Sequence, residues 1–270
     1  MRIVLWMGDA VLNTNEYSCA AVICTAVVRE SESLLQTLGG SWRRYVVRGD
    51  EQRYYEATFV DKNGRVQRVI TCQQDVMGMP AATALATKAS LLFHPRYLIL
   101  CGIAAGIGKA SEQLYGDVLV PDVVWDYSTG KVVGPNESEI RFGNIGFLPR
   151  PQFMPLDPEL KAVVDRLCEP GACEFQVQTG PLACGTSVMA NGHAVDVRVR
   201  SLEPNTVGLD MESYGVFLAA STSPDPKPKA LVVKSVCDYG DEEKSDQYQA
   251  FAAFTSSRFV EYLLTKELEF

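Results

Sequence analysis

The sequence predicts an α/β fold: a single three-layer domain with a central mixed, mostly parallel sheet flanked by helices. Three observations predict it. Short β-rich apolar runs alternate with helical patterns along the chain, as they do in layered strand–helix units. One hydrophobic strand, and a β-rich segment just ahead of a helical run, end on acidic residues, at the position where open α/β sheets keep their ligand crevice. The 270 residues, 47% of them hydrophobic, suffice for one large core.

Each element has its own signal. Residues 20–26 (AAVICTA) read as a buried strand, and 30–38 as the helix after it. Residues 53–60 and 66–72 read as a strand pair around Asp61-Lys-Asn-Gly64, a hairpin turn sequence. Residues 80–93 form an Ala-rich helix with its proline in the first turn, where the missing N–H is harmless. Tyr97–Cys101 is a short buried strand ending at Gly102, and 117–124 another strand. The stretch 136–158 is rich in Gly, Pro and Asn and reads as a long loop. A helix starts at Asp157-Pro-Glu and runs to about Cys168; residues 177–183 and 206–209 are further strands. Residues 213–220 are helical, 230–237 a central strand, and 247–264 the last helix, with Phe251, Phe254, Val260, Leu263 and Leu264 spaced as its core face. Residues 1–18 read as a tail or linker, and 19–270 as the domain.

Composition excludes several classes. The net charge is −8, against the basic stripe of a nucleic-acid binder. No apolar run approaches membrane-spanning length. Residues 1–10 are broken by Gly8 and Asp9 and do not form a signal peptide. Eight cysteines without a CxxC pair, and two histidines, predict reduced thiols in a cytoplasmic protein and no metal site.

Two acidic segments carry the chemistry. Gly208-Leu-Asp-Met-Glu-Ser-Tyr-Gly215 sets Asp210 and Glu212 around Met211 just before a helix. Lys234-Ser-Val-Cys-Asp-Tyr-Gly-Asp241 ends a strand on Asp238. Each acid also has an ordinary role open to it, as a helix cap or a salt-bridge partner. Gly102-Ile-Ala-Ala-Gly-Ile-Gly-Lys109 fits neither a phosphate loop nor a dinucleotide fingerprint: five residues separate Gly102 from Gly108, Ala110 follows the lysine, and Ser111 stands where the third glycine would be. It reads instead as a tight strand-end turn that backbone lets a ligand approach.

The paired acidic segments resemble the purine nucleoside phosphorylase and nucleosidase superfamily over about residues 19–266. That resemblance implies a nucleoside phosphorylase-like fold and cleavage of an N-glycosidic bond without a cofactor. It assigns Asp238 to the purine N7, which requires a protonated carboxyl raised by burial. It assigns Glu212 to the ribose hydroxyls with Met211 beneath the sugar, and Asp210 beside them. Glu30, with Glu32 as the competing acid, would activate water; an acid at a helix start is also favoured by the dipole alone. Within Thr186-Ser-Val-Met189, Val188 and Met189 would hold the base. Gly102, Ile103 and Ala104 would lie beside the ribose, and Tyr248 near its 5′ substituent, although packing on the core serves Tyr248 equally well.

Phosphorylases of the hexameric type carry an Arg and a Ser at the places of Leu100 and Ile103. Two aliphatic side chains offer an anion no donor, which favours hydrolysis. Residues 125–131, 147–158 and 241–248 look similar to nucleosidase domains of immune-type proteins. That implies an adenine nucleotide as substrate, ATP included, with phosphate-contacting cations among Arg43, Arg44, Arg53, Lys109 and Arg141. The alternatives are a methylthioadenosine/S-adenosylhomocysteine nucleosidase, a phosphate-dependent phosphorylase and a non-catalytic nucleoside-binding protein. The resemblance further implies a homo-oligomer and a sensor or regulatory protein as partner.

Overall fold

The computed structural model describes residues 16–107, 113–134, 136–138, 140–142 and 145–270. Strand β1 (Cys19–Thr25) is buried throughout and leads into helix α1 (Val28–Thr37). Strands β2 (Arg43–Tyr45), β3 (Tyr54–Val60) and β4 (Val66–Gln73) form an antiparallel edge. In the β3–β4 turn the Asp61 carboxylate accepts the N–H groups of Asn63 and Arg65, and Gly64 takes the left-handed φ of 78°. Helix α2 (Met79–Phe93) precedes β5 (Pro95–Gly106). Then come β6 (Val118–Leu119), β7 (Val123–Asp126), β8 (Gly130–Val133), β9 (Ile140–Phe142), β10 (Ile145–Pro149), β11 (Gln152–Pro155) and helix α3 (Pro158–Leu167), which is capped by Asp157. The chain ends with β12 (Val177–Gln178), β13 (Pro181–Cys184), α4 (Gly192–Val195, continued by a π turn to Arg200), β14 (Gly208–Asp210), α5 (Ser213–Thr222), β15 (Lys229–Asp238) and α6 (Gln249–Tyr262).

Among the described residues twelve strands make one mixed sheet. Its centre is parallel: β4, β1, β5 and β15 lie side by side in that order. β7, β13 and β14 form a second parallel group, joined to β5 through an antiparallel β14–β5 pair. Helices flank the sheet, α1 packing with α6 and α2 with α5. The central strands are nearly continuous apolar runs, as strands covered on both faces must be.

Five expectations need correction. Residues 136–158 are not a loop: β8, β9 and β10 form a separate three-stranded antiparallel sheet, and β11 pairs with β7. Their prolines stand at strand ends, where a missing N–H breaks no ladder. The strand expected at 117–124 splits at Val120-Pro121, and that at 177–183 splits at Thr179-Gly180, where Gly180 has φ 150°. Strand β5 does not stop at Gly102 but runs to Gly106, so no tight turn follows Cys101. On α6, Val260, Leu263 and Leu264 are buried but Phe251 and Phe254 are about half exposed, because the buried stripe runs through Ala252, Ala253, Ser256 and Phe259. Residues 1–15, Gly108 and Lys109 lie outside the described residues.

Candidate active site

One cavity of about 510 Å³ opens where the carboxyl ends of β1, β5, β14 and β15 converge. Its wall includes Glu30, Ile103, Ala104, Val188, Met189, Asp210, Met211, Glu212 and Asp238. These residues come from segments spread over more than two hundred positions of sequence, and the parallel sheet is what gathers them. Glu30, Asp210, Glu212 and Asp238 are each at most 6% exposed. Charged groups this deep need partners, and each acid has a different set.

Glu30 sits in the first turn of α1. Its Oε2 accepts the N–H groups of Ala26 (2.7 Å) and Val27 (3.1 Å), reaching back as an acid at the third helical position does in a capping box. Its Oε1 accepts the N–H of Ile103 at 2.9 Å. The carboxylate occupies the space that a side chain at residue 102 would fill: a Cβ there would stand 2.1 Å from Glu30 Oε1. Gly102 is thus small for Glu30's sake and does not itself line the cavity. Glu32, the competing acid, faces a separate cleft instead.

Asp210 caps α5, accepting the N–H of Ser213 (3.1 Å) and its hydroxyl (2.6 Å). Glu212 Oε1 accepts the N–H of Gly78 at 2.8 Å, from the loop before α2. Between these two acids lies Lys234, fully buried on β15, with Nζ 3.3 Å from Asp210 and 3.6 Å from Glu212. Burial alone would favour a neutral lysine. Asp210, Glu30 and Glu212 outweigh it and hold the ammonium above its ordinary range. Glu212 moves up as well: burial raises it, Lys234 draws it back, and Asp210 and Glu30 push with burial. Sequence reading passed over Lys234, although a lysine inside an apolar strand is itself a signal of a buried partner.

Asp238 ends β15. Its Oδ1 accepts the N–H of Gly240 at 2.9 Å. Its Oδ2 receives the Lys244 ammonium and lies 3.3 Å from Cys237 Sγ. The acid is buried as expected, and one of its oxygens already holds a cation. Lys244, Arg29, Met77, Ser187, Asp246 and Gln249 also line the cavity and were not anticipated. Arg29 donates to Gln249 Oε1 at 3.0 Å.

Other candidates lie elsewhere. Tyr248 is stacked on Tyr115 (3.8 Å between centroids, 11° between planes) and does not line the cavity. Leu100 is wholly buried. Arg43 pairs with Glu56 on the edge hairpin, Arg44 is exposed on β2, and Arg53 lines the cleft beside Glu32. Lys109 and the side chain of Arg141 lie outside the described residues. Among the described residues no cluster of His, Cys, Asp or Glu is arranged to hold a metal ion, and no helix is long and apolar enough to cross a membrane. All eight cysteines are free thiols; burial pushes Cys19 and Cys101 up to about 12, which leaves both unreactive.

A family model described as the phosphorylase superfamily matches residues 21–264. The chain is 27% identical over 259 residues to "Uncharacterized protein y4jS" of Sinorhizobium fredii, covering 90% of this chain and 60% of that protein. It is 23% identical over 201 residues to the ATP nucleosidase Cap17 of Escherichia coli, covering 65% of this chain and 37% of that protein. The chain thus spans less than two thirds of the length of these relatives. Its fold is that of the S-adenosylhomocysteine nucleosidase of Streptococcus pyogenes, at a TM-score of 0.71 and 20% identity over 92% of this chain and 96% of that one.

Proposed function

The chain belongs to the phosphorylase superfamily, and on that premise we propose that it is a purine N-ribosyl hydrolase acting on adenine nucleotides. The observation that carries this reading is the convergence of three buried acids, Glu30, Glu212 and Asp238, on one cavity with an apolar wall. Cleaving an N-glycosidic bond passes through an oxocarbenium-like sugar and leaves negative charge on the departing base. Glu212 accepts the ribose hydroxyls and stabilises positive charge on the ring. Asp238, once Lys244 has left it, takes up a proton from solvent and donates it to the purine as the bond breaks, and the proton that Glu30 takes from water returns to solvent. Glu30, fixed by three backbone donors, takes a proton from the attacking water. Met211 packs under the sugar, and Ile103, Val188 and Met189 enclose the base. Lys234, itself anchored by Asp210, keeps Glu212 in place and charged.

Water is favoured over phosphate as nucleophile on two grounds. Ile103 offers the cavity an aliphatic side chain, and Leu100 is buried away from it. A phosphate dianion beside Glu30 would also meet the like charge of that carboxylate. The nucleotide preference rests on the likeness to an ATP nucleosidase and on Arg29 and Lys244, two cations in the cavity wall. A constitutive hydrolase of this kind would deplete its cell of energy carriers, so this reading expects a defence role under control of a regulatory partner.

The test is release of free base from ATP, AMP, adenosine, methylthioadenosine, guanosine and inosine, followed by chromatography with and without phosphate. Adenine from AMP or ATP without phosphate is expected. No base from any of them, or strict dependence on phosphate, overturns the proposal.

A further inference from the structure

Lys244 pairs with Asp238 from a partly exposed segment, whereas Lys234, the partner of Asp210 and Glu212, is locked inside the sheet. Asp238 is 1% exposed, and its two oxygens are already satisfied by Gly240 N–H, the Lys244 ammonium and the Cys237 thiol. Lys244 belongs to the segment between β15 and α6, in the acidic run Asp241-Glu-Glu-Lys-Ser-Asp246, and its side chain is about a quarter exposed. Three donors already take most of the about four lone-pair sites of this carboxylate, and a protonated purine nitrogen would have to compete with the ammonium for it. The pair therefore opens before the base can seat.

Opening it is costly unless the ammonium finds another partner, because separating a buried carboxylate from its cation leaves a desolvated charge behind. Two occupants are within the same wall. Asp246 lies two residues along the chain and lines the cavity. The alternative is the ligand itself, and Arg29, the other cation of the wall, marks the same side as one that receives negative charge: its guanidinium faces Asp246 O and Gln249 Oε1 on the Lys244 segment. The apolar wall formed by Ile103, Val188 and Met189 offers the ammonium nothing.

We propose that Lys244 is a specificity-determining residue that gives up Asp238 for an anionic 5′ group of the substrate, so that the site admits phosphorylated purine nucleosides in preference to neutral ones. The proposal rests on the N-ribosyl hydrolase reading and deepens it. A neutral nucleoside must break the ion pair without replacement, whereas a nucleotide supplies the replacement and frees Asp238 in the same act.

The experiment is calorimetric titration of adenosine and of AMP into a Glu30→Gln protein, in which turnover is stalled, and into the same protein carrying Lys244→Met or Lys244→Arg. Circular dichroism checks that each variant is folded; the residue is on the surface segment, so folding is expected to survive. The parent should bind AMP more tightly than adenosine. Lys244→Met should weaken AMP by roughly tenfold and tighten adenosine by several fold, reversing the preference, and Lys244→Arg should restore it. A change by the same factor for both ligands, or none for either, overturns the proposal and assigns the released ammonium to Asp246 or to solvent. Base release by the unmutated enzyme is read separately: its absence refutes the hydrolase, while the titration still decides the role of Lys244. Failure of the parent to bind either nucleoside refutes both.

Discussion

The two ends of the cavity are built on opposite plans. At the Glu30 end a carboxylate is set in backbone: three N–H groups from two strand ends hold it, and a glycine makes its room. At the Asp238 end a carboxylate is held by its own following turn and by one long, partly exposed side chain. In the first arrangement any shift of the carboxylate gives up backbone hydrogen bonds. The second changes with one lysine rotamer. The difference teaches that, on the proposed reading, the end that would activate water is preorganised, in the sense that favours transition-state stabilisation, whereas the end that would receive the leaving base would be completed only when a ligand arrives.

The largest test of that contrast is Asp238→Asn. It should lower kcat/KM for base release by roughly a thousandfold, within the range for losing a positioned general acid, while a nucleoside still binds. If binding is lost as well, Asp238 is a structural ligand of Lys244 and the contrast fails. Next comes Gly102→Ala. The added methyl can be accommodated only by moving the Glu30 carboxylate, the far end of a flexible side chain. Activity should fall by roughly ten- to a hundredfold with little change in melting temperature. A large drop in stability with activity intact per folded molecule would show that the glycine serves the sheet and not the acid.

A pH profile sharpens the middle of the cavity. Glu212 is raised by burial and held down by Lys234, and in the role proposed for it, it accepts the ribose hydroxyls as a carboxylate. The kcat/KM of the wild type should therefore fall on the acid side at a pH above that of an ordinary glutamate. Lys234→Met removes the cation opposing the rise, so the acid limb should move to higher pH, and Lys234→Arg should bring it back. An unmoved limb would separate Lys234 from Glu212. The smallest effect is expected from Tyr248→Ala, within about threefold in kcat/KM, since the ring lies on Tyr115 and outside the cavity.

Most of the central sheet was legible because its strands are buried on both faces and read as apolar runs. The acids of the site were legible because they stand where such strands end. What escaped has a common physical cause. The short antiparallel strands β8 to β11 carry loop-like composition, and only tertiary pairing makes them strands. Lys234 and Lys244 escaped because their meaning lies in partners that folding brings near. Tyr248 and Arg53 were misplaced because spacing along a chain says little about which wall of a crevice a side chain reaches. Gly102 was noticed for the right property and the wrong reason: its smallness serves a neighbour, where a turn had been expected.

That last position links two residues over evolutionary time. A side chain at 102 displaces the acid at 30 unless that acid is shortened or discarded, and the acid can take its present seat only beside glycine at 102. Between them lies no single-step path that keeps both the methyl and the carboxylate in its present seat. The two sites should therefore change together or not at all, and a double substitution should cost far less than the product of the two single ones.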